Sequence, residues 1–142
     1  EGTSKEVLAG VYYGLGDVAF QSALDAEKKG MASPTARQAV QAEYDKAAMH
    51  YLRVVLLYKD FAGGRELFGA TQGVARAFSS IFRITGEKDC ALARRSYEFY
   101  RRAVGMQERG EAKRILVAEG TALKEKLDAA CAAEEAAAAS SD

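Results

Sequence analysis

From Tyr44 to Tyr58 the chain reads YDKAAMHYLRVVLLY. Ala47, Tyr51, Val54 and Tyr58 recur at steps of four, three and four, which puts them on one face of an α-helix. The run Val54-Val55-Leu56-Leu57 extends the apolar character around the second half, so the pattern predicts cover on several sides. Ala93, Tyr97, Tyr100 and Val104 repeat the same steps 46 residues later. Self-similarity at such a spacing is the mark of a helical repeat array.

The remaining periodicity predicts three more helices. The first covers about 4–29, with Thr3 and Glu6 as a capping box and Gly30 as its stop. Its apolar stripe is expected along Val11, Leu15, Val18 and Ser22, widened by Tyr12, Ala19 and Phe20. Gly14 and Gly16 lower its helix propensity, and their expected use is the close approach of a neighbour. Ser33-Pro34 opens a second helix, about 34–59, as cap and first residue. Its polar first half, TARQAVQAE, is expected to project from the body of the fold. A third helix, about 65–85, buries Leu67, Phe68, Val74, Ala75, Phe78, Ile81 and Phe82. Asp89 caps a fourth, about 90–104, and a fifth covers about 111–133 with Leu116, Leu123, Leu127 and Ala130 inward. Few stretches alternate with period two, so the fold class expected is all-α: five helices, as two antiparallel hairpins (4–59 and 65–104) and a C-terminal capping helix (111–133). Residues 1–134 form the expected domain, and 135–142 an Ala/Ser-rich tail.

Composition narrows the function classes. Hydrophobic residues make up 49% and charged residues 28%, the balance of a folded soluble domain. Lys plus Arg number 20 and Asp plus Glu number 20, so no net charge draws nucleic acid from a distance. No apolar run reaches the ~18 residues of a membrane span, and no signal peptide is visible, so the compartment, periplasmic or cytoplasmic, stays open. Between Arg94 and Arg114 seven basic residues stand against three acidic ones, a local excess of four, interleaved with Tyr97, Phe99 and Tyr100. A solvated face accounts for them best, with an acidic protein partner next. Cys90 and Cys131 form no CxxC pair, and the expectation is two free cysteines packed within helices, with a disulfide as the alternative. His50 is the only histidine and has no second ligand in its pattern. No set of nucleophile, base and acid emerges, so neither catalysis nor a metal or other cofactor is expected.

The first two helices resemble a tetratricopeptide repeat (TPR). Tyr12, Leu15, Gly16 and Ala19 stand at the family's first-helix spacings, and Ala47, Tyr51 and Val54 at those of its second. Ala75, Phe78, Ser79 and Phe82, followed by Ala93, Tyr97 and Tyr100, look like a more degenerate copy. The departures are lengthened arms in the first hairpin, Ser79 in place of Gly, and no Pro after either second helix. The segment YLRVVLLYKDF also looks like repeats of bacterial envelope-associated members. The resemblance implies a non-catalytic scaffold for protein–protein interaction, holding a peptide or protein segment on a concave face lined by first helices. On that face polarity and periodicity pick out Tyr13, Asp17, Gln21, Gln72, Arg76 and Arg83 as the expected contacts, the two arginines suiting an acidic partner. The alternative is a structural or oligomerisation subunit of a larger assembly, because two hairpins are fewer than the ~3 repeats such arrays want. Two ways to meet that need are expected: the chain is the C-terminal piece of a longer array, or it pairs with itself or a partner.

Overall fold

A computed structural model of the chain describes residues 2–107 and 109–140, with side chains from Ser4 onward. It is all-α: α1 (Gly2–Lys29), α2 (Pro34–Leu57), α3 (Gly64–Ile84), α4 (Cys90–Gly105) and α5 (Glu111–Ser140). The helix ends follow their local chemistry. Ser33 Oγ accepts from Ala36 N at 3.1 Å with Pro34 in the first turn, and Asp89 Oδ1 accepts from Leu92 N at 3.1 Å. Gly30 (φ 124°) leaves α1 through the left-handed region that glycine adopts without strain. The expected Thr3–Glu6 capping box rests on the Thr3 side chain, which lies outside the described residues. The Ala-rich run after Ala133 continues α5 as exposed helix.

Each helix packs antiparallel on the next, and α1 also runs beside α3. That second contact keeps a constant register. Glu66 stands by Gly10, Tyr13 covers Gly69, and Glu27 pairs with Arg83, each 56 residues on. The chain is therefore a stack, with α1, α3 and α5 on one side and α2 and α4 on the other. Tyr51 is the wedge between layers. Its ring is held between Gly16 of α1 and Gly73 of α3, where a Cβ would fall 2.6 and 2.5 Å from ring carbons. Its hydroxyl donates to Asp17 Oδ1 at 2.5 Å. Ala47 and Ala93 are fully buried, as small residues at close helix approaches must be.

Four expectations are corrected. The first concerns α1, which turns a small-residue face inward: Ala9, Gly16, Ala19 and Ala23 are buried. Val11, Leu15 and Val18 face solvent, because the glycines and alanines allow an approach that branched side chains would block. Gly14 lies on that outer side with nothing within 4 Å of its Cβ position. The first half of α2 does not project. Val40 and Tyr44 are buried, and Phe20 meets Tyr44 edge to face at 5.5 Å. Its second half is not covered all round, since Leu56 and Leu57 are exposed. Finally, Cys90 and Cys131 are joined in a disulfide with Cα atoms 4.8 Å apart, stapling the start of α4 to the middle of α5.

Candidate functional site: a groove between α3 and α5

On the α1–α3–α5 side the helices diverge over a cavity of about 340 Å³. Its floor is Phe82 and Leu123, its mouth carries Ser79, Ser80 and Ala122, and Tyr100 closes its back from α4. Helical spacing assembles it: Arg76, Ser79, Ser80 and Arg83 follow steps of three, one and three along one face of α3.

Charged side chains from neighbouring helices close over the rim. Arg76 grips Glu119 of α5 with two bonds, Nε–Oε1 at 3.0 Å and Nη2–Oε2 at 2.8 Å, and Tyr100 donates its hydroxyl to the same carboxylate at 3.0 Å. Arg83 grips Glu27 of α1 at 2.6 and 2.9 Å, and Tyr44 donates to that carboxylate at 2.6 Å. The same triad, an α3 arginine, a carboxylate and a tyrosine from the other layer, thus occurs twice, seven residues apart on α3. Lys126 Nζ pairs with Glu87 Oε2 at 2.8 Å, a contact whose angle is an ion pair's rather than a hydrogen bond's.

The electrostatics follow from these contacts. The Arg83 guanidinium holds the Glu27 carboxyl below its usual range, outweighing partial burial, with the Tyr44 hydroxyl adding to the effect. Burial first, then the Glu27 carboxylate, pushes the Tyr44 phenol up to about 12. Burial likewise raises the phenols of Tyr51, beside Asp17, and Tyr100, beside Glu119. The guanidinium of Arg76 is raised chiefly by its bonds to Glu119, and that of Arg83 chiefly by its bonds to Glu27. At neutral pH Glu27, Arg76 and Arg83 are charged and the three phenols neutral, so these pairs set both signs side by side.

Of the six partner-binding residues expected from sequence, Arg76 and Arg83 line the groove. Both already hold carboxylates through paired bonds, and those carboxylates belong to this chain. Tyr13 lies over Gly69 and beside Tyr51, Asp17 receives the Tyr51 hydroxyl, and Gln21 Nε2 donates to Asp25 Oδ1 at 3.1 Å. Gln72 is half-buried on α3, away from the cavity. Sequence reasoning missed Glu27, Glu119, Glu87 and Lys126. The available signal was Arg76 and Arg83 at heptad spacing on a helix that must face two neighbours.

The other chemistry-bearing residues lie elsewhere. His50 stacks on Tyr12 at 6.2 Å, with Arg53 Nη1 3.3 Å from its Nδ1. Burial lowers its pKa, and Arg53 and Lys46 add to the effect. In the basic stretch, Arg95 lies over Phe78 and Arg102 over Phe99, at 5.0 and 4.8 Å. Among the described residues no three His, Cys, Asp or Glu converge as a metal site, and no helix is long and apolar enough to cross a membrane.

No protein-family model, no curated protein and no solved structure matches this chain.

Proposed function

We propose that the chain is a non-catalytic helical-repeat scaffold of the TPR kind, which takes a protein segment in the groove between α3 and α5. The observation that supports this is the groove's make-up, an apolar floor at Phe82 and Leu123 under a rim of paired charges. Binding surfaces for peptides combine apolar anchor pockets with a few placed polar groups in this way. The partner is an extended segment with an apolar anchor. Its carboxylates gain from Arg76 or Arg83 only by displacing Glu119 or Glu27, so acidity alone does not select it. The disulfide favours an oxidising compartment such as the periplasm, since such bonds rarely persist in the cytosol. That fits the envelope-associated resemblance.

Ala122 is exposed at the groove mouth, so Ala122→Trp fills the space without touching the core. The intact chain should capture a defined protein from an extract of its source, and Ala122→Trp should lose that protein while keeping its helical spectrum. Equal capture by both places the binding surface elsewhere.

The second reading, a subunit of a larger assembly, is favoured by the aliphatic outer face of α1.

A further inference from the structure

The outer face of α1 exposes Val7 (59%), Val11 (49%) and Val18 (69%), with Leu8 and Leu15 on its shoulder. None of the helices behind it covers this side. The stripe Ser4, Val7, Val11, Gly14, Val18, Gln21 follows steps of three, four, three, four, three, which is the seam spacing of paired helices. We infer that this face is a two-fold interface through which two copies of the chain pair, α1 against α1 in antiparallel orientation.

Three observations choose a second copy as the occupant. The stripe is self-complementary under a two-fold axis at its centre. Val7 then meets Val18 of the other copy, Val11 meets Gly14, and Ser4 meets Gln21 at the polar ends; the residue numbers of each pair add to 25. Gly14, which no side chain of its own chain approaches, becomes the gap that receives Val11. An isologous interface requires this self-matching.

The opposite end of the stack excludes head-to-tail growth. The outer face of α5 carries Arg114, Thr121, Glu125 and Asp128, all exposed. Its exposed aliphatics, Ile115 and Val117, stand on opposite flanks of the helix rather than in a stripe. Of the two end faces of the stack, only that of α1 carries an aliphatic stripe, so end-to-end pairing joins α1 to α1. Extent agrees as well. An aliphatic patch of five large residues is on the order of a few hundred Å², the scale of the largest and often functional apolar patch of a monomer. Two of them with their polar rims approach the ~1,000 Å² of a specific interface.

Charge speaks against a lipid surface. Lys5, Lys28 and Lys29 are balanced by Glu6, Asp17 and Asp25, whereas a helix lying in a bilayer interface carries a basic polar face.

Sedimentation velocity and light scattering of the intact oxidised chain, from low to high micromolar, test the pairing. The parent should run as two chains, and Val18→Glu as one chain with an unchanged helical spectrum. Val7→Cys/Val18→Cys should give a covalent dimer on mild oxidation, with Val18→Cys alone giving far less. A parent that stays a single chain, a Val18→Glu variant that still pairs, or a parent that pellets with phosphatidylcholine–phosphatidylserine vesicles instead of pairing would overturn the proposal. Any of these leaves the groove reading standing, because Ala122 lies on another side of the stack and Ala122→Trp should still pair.

Discussion

The residue that shows most about the groove is Glu27. It joins three helices, accepting from Tyr44 of α2 and Arg83 of α3 while lying on α1. Its folded-state pKa is lowered from 4.5, so its contribution to stability is fully present above that value and is lost as pH falls through the folded value. Glu27→Gln removes the charge and with it this pH dependence. In urea titrations the parent should exceed Glu27→Gln by its widest margin at neutral pH, and the gap should close as the buffer is taken below about pH 4. A constant gap across that range would mean that the ionised carboxylate is not what Arg83 holds. Tyr51 shows the same scale from the packing side. Its partners Gly16 and Gly73 were only half legible, because a glycine that weakens helix propensity announces close approach without naming what approaches. Gly14 carries the same signature and meets nothing in its own chain.

At the scale of the element, capping chemistry and glycine stops made most boundaries readable. Ser33-Pro34, Asp89 and Gly30 act through contacts within a few residues, and tertiary packing does not override them. The inward face of α1 was misread because period and hydrophobicity alone rank valine above alanine. The helix instead buries its smallest residues, which lets backbones nest. The disulfide stood only as the alternative to free cysteines for a different reason. Nothing in the spacing of two cysteines 41 residues apart announces a bond. Cys90 begins α4, and Cys131 stands far enough along antiparallel α5 to return to the same level. By the chain-entropy argument a loop of that length contributes roughly 3–4 kcal/mol. Thermal melts with and without reductant should therefore differ by many degrees, and Cys131→Ser should melt with the reduced parent. Coincident melts of reduced and oxidised protein would show that α5 is held by Leu116, Leu123, Leu127 and the Glu119 contacts without help from the disulfide.

The whole molecule presents three kinds of surface. The outer face of α5 is polar, with Arg114, Thr121, Glu125 and Asp128 exposed. The α1–α3–α5 side opens into a groove whose charges are already paired. The N-terminal face is aliphatic and open. Fold class was readable from sequence because helical period persists over five long segments. The site was not, because the carboxylates that hold its two arginines, Glu27 and Glu119, come from α1 and α5 and only the stacking brings them to α3. Both surfaces rest on one arrangement, α1 lying parallel to α3 at an offset of 56 residues. Crosslinking measures it directly. Glu27→Cys/Arg83→Cys, treated under oxidising conditions with a short bis-maleimide, leaves the native disulfide intact and reacts only at the two new thiols. Peptide mapping should recover position 27 linked to position 83 within one chain. Failure of that link, with Glu27→Cys/Lys126→Cys joining instead, would place α1 against α5 and contradict the stack.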